Sequence, residues 1–377
     1  MNYEHNVMAF DAGAALLAQL RSGQAAWTGG HLSAAVNHWP GMVDWPIPDK
    51  IFEDDAHATL AVEFKPPGHS KREYVTGLGQ CLTYLRNFRF CALVLPEKSV
   101  DGYPVAEYLA SVLNEDCART LPIALLSYSQ SPGTLTPVIA LRPRIGRLPE
   151  FTETRRLTFW AYVRDASPAD VFDILAKMDS DNCNFTQGYS AFWNSKRATG
   201  LSLTLDGKRR QPKAHRFSER QAGDAAERTN VNLLMRHTGL IDSEGRSTEW
   251  GYRLLRHGKV YTPASQSFIQ MFGNRLLTVG KHLDLILWTD RHQRRMPAHE
   301  KQNHEQFKHA LDTGLVRDGY IRAAPRDAAK PTYIRDEPKY WNALGLMETT
   351  ANSYFHPGAG YVFNWRAILS MVNADVW

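Results

Sequence analysis

Cysteine is scarce in this 377-residue chain, and none of its four cysteines belongs to a Cys-x-x-Cys pair. Disulfide-stapled domains and zinc modules usually show such pairs or a denser set of cysteines. Cys81 and Cys91 lie beside apolar residues. We therefore expect free thiols in a reducing compartment, which predicts a cytoplasmic protein.

Long apolar runs are also missing. No stretch approaches the ~18 consecutive apolar residues that a membrane-spanning helix needs. The first residues, MNYEHNVMAF, carry an acid and have neither a basic segment nor an apolar one after it, so a secretory signal is not expected. A hydrophobic fraction of 43% and a charged fraction of 22% are typical of globular proteins, and the length predicts two or three domains.

The net charge of +5 is distributed unevenly along the chain. In residues 1–150 the acidic side chains outnumber the basic ones by 15 to 12, whereas in residues 151–377 the basic ones lead by 32 to 24. An acidic catalytic part joined to a part that binds a polyanion would show this pattern. Chance segregation of charge is the alternative.

A β-hairpin is predicted from residue 49 to residue 65. Two strand-like runs, Asp49–Glu53 and Thr59–Lys65, flank a polar turn, and Pro66-Pro67 ends the second run. Because side chains alternate along a strand, Glu63 and Lys65 share one face, and the apolar Val62 and Phe64 take the other.

Metal-assisted phosphodiester hydrolysis uses such a pair. Mg²⁺ prefers carboxylate oxygens, and Asp49 and Glu63 could both supply them if the two strands pair in antiparallel register. Lys65 could orient the attacking water and neutralise developing charge. Asp44 is a competitor for the role of Asp49, and an ordinary solvated hairpin is the alternative to a site.

The helix-like stretch after the hairpin, Glu73–Phe88, carries Gln80 and Tyr84 on one face at a spacing of four residues. Together, Pro48-Asp49, Glu63-Phe64-Lys65 and Gln80 resemble the PD-(D/E)XK nuclease superfamily, which includes most Type II restriction endonucleases. The resemblance covers roughly residues 1–130.

This resemblance implies a restriction-endonuclease-like α/β core, with a mixed sheet flanked by helices. It also implies a Mg²⁺-dependent endonuclease that cuts double-stranded DNA, most simply a restriction enzyme, with modification-dependent cutting left open. The resemblance implies that the catalytic residues are Asp49, Glu63, Lys65 and Gln80, and that the metal ligands are Asp49, Glu63 and the main-chain carbonyl of Phe64. A transposon-associated cleavage subunit that needs a partner, and a non-catalytic DNA-binding protein, remain as alternatives.

The rest of residues 1–148 agrees with such a core. A helix is predicted over residues 3–22, with Glu4 and Asp11 as acids that could reach the site or lie on a solvated face. Strands are predicted at 89–96, 121–127 and 136–141, and a helix at 104–117. Residues 142–150 are predicted to form a linker.

The basic C-terminal part is expected to contact duplex DNA. Residues 194–220 form a polar stretch, predicted to be a loop or β-ribbon, that is rich in cations; the candidates for DNA binding are Lys196, Arg197, Lys208, Arg209, Arg210 and Lys213. A plain solvated surface is the alternative for this stretch.

Two later segments resemble winged-helix domains. In the first, a helix at 225–237 is followed by a short turn and an amphipathic helix; in the second, strands at 346–354 and 360–365 would form the wing. The expected domains are a nuclease domain at 1–148, a basic DNA-binding region at 149–298 and a second winged-helix-like domain at 299–377. A helical and hairpin domain used for dimerisation is the alternative, and a homodimer is left open.

Overall fold

A computed structural model of the chain describes residues 3–33, 35–39, 47–129, 131–146, 163, 166–199, 225–321, 334, 336–350 and 353–374. The protein is of the α/β class and divides into two compact units. The first unit contains Met1–Phe159 and Val316–Ala323, and the second contains Trp160–Leu315 and Ala324–Trp377. The three-part division at residues 148 and 298 stays a prediction.

A mixed sheet forms the centre of the first unit. Its described strands lie side by side in chain order: β1 (Ala35–Trp39), β2 (Lys50–Asp54), β3 (Thr59–Phe64), β4 (Phe90–Pro96), β5 (Ile123–Tyr128) and β6 (Thr136–Ile139). The pairs β1–β2, β2–β3 and β5–β6 are antiparallel, whereas β3, β4 and β5 run parallel. The α-helices described beside the sheet are α1 (Tyr3–Arg21), α2 (Lys71–Tyr84) and α3 (Val105–Asn114).

The sheet separates two apolar cores. Leu60, Val62 and Phe64 of β3 pack into one core with the apolar face of α1. Ala61 belongs to the other core, which also contains buried side chains of α2 and α3. The alternation predicted for this strand is therefore confirmed. Glu63 follows Ala61 on the side of α2, because side chains two positions apart share a face.

The elements predicted for residues 1–141 are confirmed, with ends shifted by a few residues. The central strands β4 and β5 are buried at every position, as parallel strands covered on both faces usually are. Strand β1 was not predicted. Its sequence, Ala-Val-Asn-His-Trp, contains polar residues in the middle of a short run and shows no clear alternation of apolar and polar residues.

The second unit is mainly helical. Its described helices are α4 (Pro168–Ser180), α5 (Phe185–Thr199), α6 (Ala225–His237), α7 (Glu249–Tyr261), α8 (Gln266–Thr278), α9 (His282–Arg295), α10 (His304–Arg317), α11 (Glu337–Ala343) and α12 (Trp365–Val372). A small hairpin joins β7 (Phe355–His356) to β8 (Gly360–Tyr361). Helix α4 begins where the sequence predicts it, because Ser167 and Asp170 form a reciprocal capping box and Pro168 opens the first turn.

Three sequence predictions for this unit are corrected. Residues 194–199, expected in a loop or ribbon, form the end of α5. The wing-like hairpin is shorter than expected, because main-chain hydrogen bonds between Thr350 and Ser353 interrupt the first predicted strand. Helix α9 was missed. It is buried over most of its surface, and a helix buried all round shows no single apolar stripe in its sequence.

All four cysteines lie in the described ranges and are free thiols, as predicted. Within those ranges, no helix combines the length and the apolar character that crossing a bilayer requires.

Candidate active site

The C-terminal end of β3 carries a buried ion pair. Glu63 and Lys65 are 4% and 5% exposed, and the Lys65 ammonium lies 2.9 Å from Oε1 of Glu63. The main chain around Lys65 is held by hydrogen bonds from its amide to the Val94 carbonyl, at 2.8 Å, and from the Tyr128 hydroxyl to its own carbonyl, at 2.9 Å. The parallel pairing of β3 with β4 thus helps to fix the position of this lysine.

Helix α2 closes over the pair with two side chains four residues apart. Lys65 donates a second hydrogen bond to Oε1 of Gln80 at 2.8 Å, and the Tyr84 hydroxyl donates to Oε2 of Glu63 at 2.5 Å. Residues at this spacing lie on the same side of a helix. The structure therefore brings both predicted helix residues to the predicted strand residues.

Asp49 lies directly before β2. The register pairs Lys50 with Val62, so Asp49 stands opposite Glu63, one position beyond the last paired residues. It is 6% exposed, and its Oδ2 accepts the amide hydrogen of Phe64 at 2.9 Å. Within the described ranges, Oδ1 of Asp49 has no hydrogen-bond partner.

His5 is a member of the site that the sequence analysis missed. It is 6% exposed, and its Nε2 lies 3.2 Å from the Phe64 carbonyl, to which it can donate, and 3.7 Å from Oδ2 of Asp49. Glu4, one of the acids considered for this role, lies instead on the exposed side of α1. The sequence did contain a signal for it, because His5 is a polar residue on the apolar helix face that continues through Ala9 and Leu16.

Burial and charge repulsion act on Glu63. Desolvation, followed by the nearby negative charge of Asp49, raises the pKa of Glu63 from 4.5 to about 7, against the opposing effects of Lys65 and the Tyr84 hydroxyl. Burial and the charge of Glu63 raise the pKa of Tyr84 far above its usual range. Tyr84 therefore remains a hydrogen-bond donor at any physiological pH.

The oxygen atoms at this position fit a hard divalent cation. The carboxylates of Asp49 and Glu63 and the carbonyl of Phe64 are the ligand types that Mg²⁺ prefers. An Asp49 oxygen that has no hydrogen-bond partner among the described residues, and a neighbouring carboxyl whose charge is disfavoured, both favour a cation there. The His5 hydrogen bond to the Phe64 carbonyl would have to yield to such a contact. Among the described residues, no group of three or more His, Cys, Asp or Glu side chains has a metal-binding arrangement.

The predicted DNA-binding residues are mostly outside the described ranges. Lys196 and Arg197 lie in α5, where only the backbone is described, and Lys208, Arg209, Arg210, Lys213 and the alternative ligand Asp44 lie outside the description altogether. Their roles stay predictions.

Comparison of the chain with models of known protein families and with curated proteins gave no match.

Proposed function

We propose that this protein is a Mg²⁺-dependent endonuclease of the PD-(D/E)XK type that hydrolyses double-stranded DNA, most simply as a restriction enzyme. The observation that carries the proposal is the buried cluster at the end of β3, where Glu63, Lys65 and Asp49 meet under Gln80 and Tyr84. A solvated hairpin would leave these charges exposed. Burying an ammonium and two carboxylates together is unfavourable for folding and points to a chemical role.

The chain's own groups suit hydrolysis of a phosphodiester. Lys65, held by Glu63 and Gln80, would direct its remaining N–H toward the attacking water and the negative charge that develops on the phosphate oxygens. The water oxygen bonds to phosphorus and gives up a proton to solvent, while the bond to the leaving sugar oxygen breaks and that sugar oxygen takes a proton from solvent. Bound Mg²⁺ would supply Lewis-acid stabilisation of the same charge.

Asp49 and Glu63 would hold the cation, and the Phe64 carbonyl would complete the protein ligands. Gln80 would have a shaping role, because it fixes the direction of the Lys65 ammonium. The helical second unit and its hairpin are proposed to contain winged-helix-like modules that contact DNA, with residues 196–213 as a further contact to phosphates.

The test is incubation of the purified chain with modified and unmodified genomic DNA in the presence of Mg²⁺. Discrete fragments from wild type, and none from Lys65→Ala, would support the proposal. Lys98→Ala, which removes an exposed lysine of the same unit, is the matched control and should cut like wild type. Cutting by Lys65→Ala at the wild-type rate would refute the assignment of the site.

Calcium provides a second arm of this test. Ca²⁺ tolerates looser coordination than Mg²⁺, so DNA should bind in Ca²⁺ without being cut. Lys65→Ala should retain this binding, because the lysine is proposed to act mainly on the transition state.

A further inference from the structure

The chain between Lys65 and the first turn of α2, Pro66–Arg72, has a fixed course, and we call it the post-lysine segment. The Tyr74 side chain is fully buried, and its hydroxyl shares its one proton between the carbonyls of Pro67 at 2.8 Å and Pro66 at 3.1 Å. The amide of His69 turns back to the Pro66 carbonyl at 3.3 Å. A segment held in this way can bind a ligand with little loss of conformational entropy.

His69 lies beside the candidate site. Its ring stacks on the ring of His5 with the centroids 6.1 Å apart and the planes 11° from parallel, and His5 in turn contacts the Phe64 carbonyl. Within the described residues, the imidazole of His69 makes no hydrogen bond, and its Nδ1 is buried. Burial, followed by the electrostatic effects of His5 and Lys65, lowers the pKa of His69 and so favours its neutral ring. A neutral imidazole keeps one N–H that can donate a hydrogen bond.

Arg72 is the available positive charge of the segment. It is exposed, and no described residue pairs with its guanidinium. The neighbouring Lys71 is already engaged, with its ammonium 3.1 Å from the Asp101 carboxylate and 4.5 Å from the centroid of the Tyr103 ring. Arg86 follows the C-terminal end of α2 and is also exposed without a described partner. Because a helix rises 1.5 Å per residue, Arg86 is separated from Arg72 by about 20 Å along the helix.

We propose that the post-lysine segment is a contact between the nuclease site and the DNA backbone. His69 would donate a hydrogen bond to an oxygen of the scissile phosphate, and Arg72 would pair with a neighbouring phosphate of the same strand. The inference rests on the proposed function. The proposed function places the scissile phosphate at Lys65, and the post-lysine segment begins at the next residue, so its groups are the nearest in the chain to the adjoining phosphates.

Salt dependence of binding tests the role of Arg72. In Ca²⁺, the affinity of full-length protein for a duplex is measured from low to moderate salt. Each lost phosphate contact lowers the magnitude of the slope of log K against log salt by about 0.9. Arg72→Ala should show this decrease and Arg86→Ala should keep the wild-type slope. Equal slopes for these two variants, with wild type still cutting DNA, would overturn the inference and leave the proposed function standing.

Cleavage kinetics test His69. His69→Ala should lower kcat by about 10-fold to 100-fold, the usual effect of losing a hydrogen bond to a charged group, and should leave the salt slope unchanged because a neutral ring releases no counterion. His69→Gln keeps a donor and should recover part of kcat. If both variants lose thermal stability and Gln restores nothing, the ring has only a packing role, and the inference is wrong for His69. If wild type neither binds nor cuts DNA, the proposed function itself fails.

Discussion

The carboxyl group of Glu63 is buried beside the charge of Asp49, and its pKa is raised to about 7. The folded chain therefore holds the proton of Glu63 more tightly than the unfolded chain does, and this favours folding at low pH. The contribution is fully present below the unfolded pKa of 4.5 and is lost as the pH rises toward 7. At 1.36 kcal/mol per pKa unit, the contribution is about 3 kcal/mol.

Glu63→Gln should therefore stabilise the metal-free protein at pH 8. The amide removes the repulsion from Asp49 and still accepts the Lys65 hydrogen bond. With a chelator present, the free energy of unfolding of wild type should decrease between pH 5 and pH 8, and that of Glu63→Gln should decrease less. Urea unfolding at several pH values measures this free energy. Glu73→Gln, an exposed site on α2, is the control and should retain the wild-type profile. A wild-type profile for Glu63→Gln would contradict the prediction.

Gly77 leaves the space that Lys65 occupies. A Cβ at this position would lie 2.8 Å from Cε of Lys65, closer than unbonded carbon atoms normally approach, and would make a tight contact of 3.0 Å with Cδ1 of Leu93. Gly77→Ala should displace the lysine and lower the cleavage rate by about 10-fold or more, because small errors in placing a catalytic group have large effects.

Gly79 gives the matched control for this prediction. It lies two residues along the same helix, and a Cβ there meets no atom within 4 Å. Gly79→Ala should raise stability by about 0.5–1 kcal/mol, because alanine favours the helix, and cleavage should not change. Plasmid cleavage rates and thermal melts of the two variants measure the difference. Equal activity of both variants would show that Lys65 needs no such space.

At the scale of elements, the two ends of the β2–β3 hairpin have different roles. At the turn end, the Asp54 carboxylate accepts the amides of Ala58 at 2.7 Å and Ser33 at 3.0 Å. At the open end, Asp49 accepts one amide hydrogen and has a second oxygen for a cation. Both aspartates are buried, so burial alone does not separate a structural residue from a functional one.

Asp54→Ala and Asp49→Ala should accordingly fail in different ways. Asp54→Ala leaves two amides without an acceptor, and we expect a loss of about 1–3 kcal/mol in stability. Where this variant is folded, its Mg²⁺-dependent cleavage should be retained. Asp49→Ala should abolish cleavage. Activity assays at 20 °C together with chemical unfolding distinguish the two results. Loss of cleavage in Asp54→Ala, with Asp49→Ala active, would show that the metal site is assigned to the wrong end of the hairpin.

At the scale of the whole molecule, the excess of basic residues after residue 150 predicts where most of the DNA affinity resides. Replacing Lys208, Arg209 and Arg210 together by Ala removes three potential phosphate contacts. The slope of log K against log salt should fall by up to about 2.7, to a similar extent on every duplex sequence, while the positions of cleavage stay the same.

The control for this variant removes three positive charges from residues 1–150. Arg86, Lys98 and Arg119 are exposed, and their joint replacement by Ala should leave the slope nearly unchanged. Fluorescence anisotropy over a salt series, with several duplexes, makes the measurement. If the control weakens binding as much as the triple change at 208–210, the excess of basic residues in the second part has no special role.

The sequence by itself determined the local features of the fold. The alternation of Glu63 and Lys65 against Val62 and Phe64 depends only on the geometry of a strand, and the common face of Gln80 and Tyr84 depends only on the helical period. The capping box of α4 is likewise set by neighbours in the chain. Such features involve residues a few positions apart, so a short stretch of sequence contains the whole cause.

Tertiary structure alone decided which distant groups join the site. His5 meets a carbonyl 59 positions away, and Tyr128 reaches the Lys65 carbonyl across 63 positions. These contacts follow from the packing of α1 on one face of the sheet and from the parallel pairing of β3, β4 and β5. The apolar face of α1 is visible in the sequence, but it does not say which surface the helix packs against, and the parallel pairing leaves no periodic pattern. Both arrangements are selected by the fit of whole surfaces rather than by the preferences of neighbouring residues.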